Sequence, residues 1–174
     1  MIAVRPVTAG RGPEPTSRVV PRWLAPTALG LSSLGLVLGL YLTYEHLTQN
    51  ATLACATTGT INCQKVTESP WSTFVGIPVA VLGVVFFVVM LALCRPRRFR
   101  EGGRGSDVLR LGWCSLGLGF ALYLVWAELF HIGAICLWCT GVHVVTFLLF
   151  ATLLFGQILI EPGRGRPPAA EANG

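Results

Sequence analysis

Charged residues are absent from four long stretches of the chain: Trp23 to Tyr44, Ser69 to Cys94, Leu111 to Ala127 and Ile132 to Ile160. A hydrocarbon core of about 30 Å needs roughly 20 apolar residues in helical form. The third stretch reaches that length by extending through Glu128 to Phe130, with its one acid near the interface. Backbone polar groups in lipid must be bonded internally, which leaves helices or closed barrels, and continuous apolar runs without two-residue alternation exclude the barrel. The pattern predicts an all-α integral membrane protein, a four-transmembrane-helix bundle. The first stretch exceeds the core of about 7 to 15 residues typical of a signal peptide and is read as a span. The flanks, residues 1–22 and 161–174, are rich in Arg, Pro, Gly and Ala. They cannot bury enough apolar surface to offset their ordering entropy, so disordered arms are expected around a membrane domain at 23–160.

Composition agrees: 53% hydrophobic against 12% charged residues, with mean hydropathy +0.65, excludes an ordinary soluble domain. The arginines give the direction of insertion. Arg5, Arg11, Arg18 and Arg22 precede the first span, Arg95, Arg97, Arg98, Arg100, Arg104 and Arg110 lie between the second and third, and Arg164 and Arg166 follow the fourth. Lys65 alone lies on the other side. By the positive-inside rule both termini are cytoplasmic in a multi-pass cell-membrane protein, with an extracytoplasmic loop between helices 1 and 2. The net charge of +5 is then a topology signal rather than a mark of nucleic-acid binding.

That orientation sorts the six cysteines. Cys55 and Cys63 fall in the first external loop, and Cys136 and Cys139 open the fourth span from its external end; Cys94 and Cys114 lie near the cytoplasmic ends, where thiols stay reduced and serve as packing residues. Cys136-Leu137-Trp138-Cys139 is a C-x-x-C at a helix start, where free N–H groups and the helix dipole favour a thiolate. Residues three apart share a helix face, so these two sulfurs can close into a disulfide. Cys55 and Cys63 flank Gly59, a spacing that suits a flexible shuttle arm better than a rigid turn; the alternative, a loop staple contributing roughly 2 to 3 kcal/mol, is hardly needed by a bundle already held by four spans. Asn62 is placed to cap a short helix beginning at Cys63, with Pro70-Trp71 returning the chain to the interface.

With both pairs and the spans in place, the chain resembles the vitamin K epoxide reductase family, specifically its bacterial disulfide-generating members, over residues 23–160. The resemblance is carried by Cys55, Asn62-Cys63, Val66 and Ser69, Gly76-x-Pro78 with Gly83, and Cys136-x-x-Cys139. It implies a membrane thiol–disulfide oxidoreductase. Cys55 and Cys63 would be a shuttle pair taking electrons from a reduced thioredoxin-fold protein. Cys136 and Cys139 would pass them to a membrane quinone, menaquinone or ubiquinone, in support of disulfide bond formation. By the same resemblance Ser69 matches a serine or threonine that polarises the quinone site, and Cys63 exchanges with Cys136, leaving Cys139 nearest the quinone. Two features depart from relatives. His143 stands where vertebrate enzymes carry tyrosine, which argues against vitamin K epoxide chemistry. The residues after Ile160 cannot hold the thioredoxin domain fused to many bacterial relatives, so a separate thioredoxin-fold carrier is expected.

His143 follows Cys136 and Cys139 by seven and four positions, hence on one helix face and one turn deeper. It is a candidate hydrogen-bond or proton donor to the quinone, against the plainer reading of a histidine bonded to a neighbouring helix. Glu128 and His131 read as an interfacial pair. Trp138, Phe74, Phe86 and Phe87 are candidates to line an apolar pocket. The competing classes are a zinc site built from the external cysteines and His143, and a purely structural four-span protein. An unrelated four-span thiol oxidase carries its C-x-x-C in the first external segment, the reverse of the order here.

Overall fold

The computed structural model describes residues 20–48, 59–101 and 103–159; the two terminal arms and Cys55 lie outside these. In order come α1 (Leu24–Thr48), α2 (Cys63–Thr67), a 3-10 turn at Pro70–Ser72, a hairpin of β1 (Thr73–Phe74) and β2 (Ile77–Pro78), and α3 (Val79–Leu93). Then follow α4 (Pro96–Glu101), α5 (Arg104–Ala127), a π-helical turn at Glu128–Ile132 and α6 (Leu137–Leu159). Among the described residues three helical segments are long and apolar enough to cross a membrane: Leu24–Thr48, Arg104–Ile132 and Leu137–Leu159. With the shorter apolar α3 they make a multi-pass helical membrane protein. α1 packs on α3 and α6, and α5 packs on α6.

The second apolar stretch is not helical throughout. Helix begins only at Val79, because Pro70 and Pro78 lack the N–H a helix interior needs and the residue before a proline is pushed to extended backbone. The ten residues from Ser69 instead form the 3-10 turn and the hairpin, with Thr73 opposite Pro78 and Phe74 opposite Ile77. The hairpin turns on Val75 (φ 52°) and Gly76 (φ 80°), the left-handed pair that a two-residue turn of this hand requires.

Close helix contact depends on small residues, since lipid supplies no hydrophobic drive between helices. Successive aromatics on α3 are spread to two neighbours: the Phe87 ring fills the space a side chain at Gly35 of α1 would occupy, and the Phe86 ring does the same at Gly117 of α5. Hydroxyls inside the spans bond back along their own helices, as Ser32 Oγ donates to the Ala28 carbonyl at 2.7 Å. The main core gathers at the end where α1 begins, around Leu24, Phe87, Met90, Leu149 and Leu153. Arg110 is a surprise there. Its place among the loop arginines predicts solvent, yet it lies inside α5 with 1% exposure, bonded to Asp107 (3.0 Å) and the Leu93 carbonyl (3.1 Å), its guanidinium 3.7 Å above the Phe99 ring. It satisfies a carbonyl in the last turn of α3 that the helix cannot bond itself.

Candidate redox site at the loop end of the bundle

At the opposite end the chain before α2 is tied to the chain before α6. Ile61 and Ile135 form an isolated parallel bridge, in which the Asn62 N–H donates to the Ile135 carbonyl (3.1 Å) and the Ile135 N–H to the Thr60 carbonyl (2.9 Å). Asn62 then caps α2 as expected, its Oδ1 accepting from the Lys65 N–H at 3.0 Å. The cap turns Cys63 and Val66, three apart, to one face. They join Ala134 and Cys136 in a second buried cluster, with Ile132, Trp138 and Cys139 packed against it. Cys63 and Cys136 are both fully buried. The Cys63 half of the loop is therefore anchored rather than a free arm, because two backbone hydrogen bonds and a helix cap hold it.

Cys136 sits at the N-cap of α6: its carbonyl accepts from the Thr140 N–H (2.9 Å) and its Sγ from the Cys139 N–H (3.3 Å). The sulfur thus occupies the place of a capping oxygen, at the positive end of the helix. The Cys136 pKa is lowered, first because the Cys139 thiol donates to its sulfur, with burial opposing and backbone N–H donors assisting. Cys136 is therefore the sulfur held closer to its thiolate. Cys63 is disulfide-bonded, whereas Cys94, Cys114, Cys136 and Cys139 are free thiols.

Beneath this cluster lies a cavity of about 430 Å³. Cys139, His143 and Ser69 all reach its wall, with Glu128 and His46. Thr67, Ser72 and Thr146 add hydroxyls, and the rest is apolar, dominated by Phe74, Phe86, Phe87, Trp71, Trp113 and Phe120. His143 is part-buried and its Nδ1 has no hydrogen-bond partner. Ser69 Oγ donates to the Val66 carbonyl at 2.7 Å, which leaves its oxygen lone pairs free to accept. Trp138 does not line the cavity: it packs on Tyr41, ring centroids 4.8 Å apart, because it points away from the face shared by Cys139 and His143.

The expected Glu128–His131 pair is replaced by two separate environments. His131 packs against Trp71 and Trp126, at 4.6 and 4.4 Å between ring centroids, whereas Glu128 is 5% exposed and turns to the cavity wall. The cause is the π-helical turn, in which the Gly133 N–H bonds the Glu128 carbonyl at 2.9 Å; its extra residue rotates one side chain relative to an α-helical reading. An isolated acid at a span end carries no sign of this in the sequence. Among the described residues no three His, Cys, Asp or Glu side chains gather as a metal-ligand set.

The vitamin K epoxide reductase family model matches residues 26–154. The chain belongs to the vitamin K epoxide reductase family. Membership brings membrane thiol–disulfide oxidoreductase chemistry, and it fits a helical membrane protein with a C-x-x-C capping one of its spans.

Proposed function

We propose that this vitamin K epoxide reductase family member oxidises a separate extracytoplasmic thioredoxin-fold protein through Cys55 and Cys63, and passes two electrons by way of Cys136 and Cys139 to a membrane quinone. The observation that carries the reading is the packing of Cys63 against the Cys136 cluster, enforced by the backbone pairing of Ile61 with Ile135. Cys63 is held in a disulfide while four other cysteines are free, which supports Cys55 as its partner. The arginines favour cytoplasmic termini and this cluster outside. In that frame α3 rises only about 22 Å, and the 3-10 turn and hairpin with Trp71 and Phe74 complete the second of four crossings in a domain spanning residues 23–160.

The residues divide the work. A carrier thiolate opens the loop disulfide, and the freed Cys63 thiolate attacks Cys136 of the Cys136–Cys139 disulfide, making one S–S bond, breaking another and leaving the electron pair on Cys139. Exchange between such pairs is nearly balanced, each 30 mV being about 1.4 kcal/mol, so net direction comes from the final acceptor. Cys139 is the member of the C-x-x-C on the cavity wall, so the electrons leave from its side. The cavity fits a quinone: its wall is apolar and aromatic, the His143 ring is a polar group placed to bond a ring oxygen, and the Ser69 oxygen, its hydrogen given to Val66, can accept from a hydroquinone hydroxyl. A quinone bound there supplies acceptance of two electrons and two protons. His143 and Ser69 orient, and the aromatic wall excludes water.

The test is disulfide trapping. Cys55→Ser with Cys139→Ser removes both resolving sulfurs, and oxidation of that variant is expected to accumulate a Cys63–Cys136 crosslink identified by peptide mass spectrometry. A crosslink from Cys63 to Cys94 or Cys114, or none at all, would overturn the relay.

A further inference from the structure

The end of the bundle away from the redox cluster carries a concentrated charge that the electron relay does not use. From Arg95 to Arg110 the chain has six arginines against two acids, Glu101 and Asp107, and Asp107 is bonded to the buried Arg110. Folding fixes where the exposed charges lie. Phe99 of α4 is buried in the main core with Leu24 of α1, its ring 3.7 Å beneath the Arg110 guanidinium, and so pins α4 to the bundle. The Arg98 N–H donates to the Arg95 carbonyl at 2.9 Å and closes the first turn of α4. Arg95, Arg98 and Arg100 are exposed around the buried ring, Arg104 is exposed at the start of α5, and Arg22 is exposed just before α1, which packs on α4. Apolar surface continues from these side chains: Val108 and Leu109, one turn beyond Arg104, are exposed, and so is Trp23 beside Arg22.

We propose that α4, with Arg22 and Arg104 beside it, binds the headgroup of an anionic phospholipid in the leaflet at this end of the bundle. The positive-inside rule accounts for the side on which the arginines lie but requires no fixed arrangement of them, and a helix pinned by Phe99 supplies one. Guanidinium groups bond phosphate oxygens in pairs, which suits a lipid phosphate held between neighbouring arginines. A free anion or a nucleic acid would use the arginines alone. An anionic lipid uses both halves of the patch, its phosphate on Arg98, Arg100 and Arg104 and its acyl chains along Val108 and Leu109. The exposed Trp23 marks the depth, since tryptophan settles where headgroups meet hydrocarbon. The site stands apart from the relay and needs neither a thiol partner nor a quinone.

The experiment titrates dioleoylphosphatidylglycerol, dioleoylphosphatidylcholine or inorganic phosphate into the detergent-solubilised full chain and follows bound lipid by native mass spectrometry. Phosphatidylglycerol is expected to bind at least about tenfold tighter than phosphatidylcholine, and inorganic phosphate at the same concentration is expected not to displace it. An arginine at an anionic surface contributes about fivefold in affinity, so the triple variant Arg98→Gln, Arg100→Gln, Arg104→Gln is expected to lose at least about tenfold of that preference. The charge-matched variant Arg5→Gln, Arg11→Gln, Arg18→Gln, whose arginines lie outside the proposed site, is expected to keep the preference within about twofold. Equal binding of the two lipids, displacement by inorganic phosphate, or equal loss in the two variants overturns the proposal. The unaltered protein gives a second test free of any folding defect. In nanodiscs, adding phosphatidylglycerol to phosphatidylcholine is expected to raise Tm, and the rise is expected to shrink as salt screens the phosphate. A Tm indifferent to the lipid, or a rise indifferent to salt, overturns it. None of these measurements involves a cysteine, so failure of the lipid site and failure of the relay in the trapping experiment are separate outcomes.

Discussion

Two pairs of cysteines lie at opposite ends of this helix bundle. Cys63 and Cys136 at the loop end, and Cys94 and Cys114 at the end where α1 begins, are all fully buried. Burial therefore does not separate a redox sulfur from a packing sulfur; the neighbours do. Cys94 and Cys114 sit among Phe87, Met90, Phe99 and Leu149, and neither touches the cavity. Cys136 has a helix N-terminus, a donated N–H and a second thiol beside it, and its partner Cys139 opens onto the cavity. A sulfur becomes reactive when its anion is stabilised and its leaving partner has somewhere to go. The loop end meets both conditions, and the other end meets neither.

The largest expected effect is the direct exchange of roles. Serine at Cys55, Cys63, Cys136 or Cys139 is expected to reduce disulfide formation to background in a strain lacking its own membrane disulfide-generating enzyme. Alanine at Cys94 or Cys114 is expected to hold activity within about twofold, since only packing atoms are removed. Activity surviving in Cys136→Ser would erase the distinction between the ends.

Next comes Arg110, which anchors the non-reactive end. Arg110→Ala removes a buried charge-assisted hydrogen bond to Asp107 and the donor to the Leu93 carbonyl, and a destabilisation of about 2 to 3 kcal/mol is expected in a denaturation series, with activity per folded molecule unchanged. Loss of activity without loss of stability would show that the two ends are coupled. His143→Phe is expected to slow quinone reduction about tenfold, the equivalent of one lost hydrogen bond, while exchange between the carrier and the loop cysteines continues at its usual rate.

Acidity sharpens the contrast further. Because the Cys136 pKa is lowered, its thiolate persists as pH falls below the ordinary cysteine range, so the pH midpoint for alkylation of Cys136 in reduced protein is expected to lie below that of a free cysteine peptide, although burial slows the reaction itself. Cys94 and Cys114 are expected to stay unlabelled until the protein unfolds. The smallest effect belongs to the hairpin. Val75 is a β-branched residue at φ 52° and 86% exposed, so Val75→Asn is expected to raise stability by about 1 kcal/mol, read as a higher Tm.

Much of the outer architecture was legible before any coordinates. Uncharged runs mark helices because lipid cannot solvate a backbone, and α1, α5 and α6 fall where those runs lie. Asn62 reads as a cap because a short side-chain oxygen ahead of a helix has one obvious donor to meet. The second run shows where such reading stops: its hydropathy is continuous, but the prolines at 70 and 78 divide it into turn, hairpin and helix. Phe74, Phe86 and Phe87 reach the cavity as their chemistry suggested, and Trp138 does not, because side-chain direction depends on which helix lies opposite.

Local chemistry along the chain thus determines that this is a helical membrane protein of the vitamin K epoxide reductase family, with a C-x-x-C at a helix mouth. Those properties follow from single residues and short spacings. Only the tertiary structure decides that Cys63 rests beside Cys136, that Glu128 turns inward while His131 turns to two tryptophans, and that Arg110 leaves solvent for the core. Each of these depends on a contact between segments far apart in sequence or on one extra residue in a helical turn, and no local pattern encodes either.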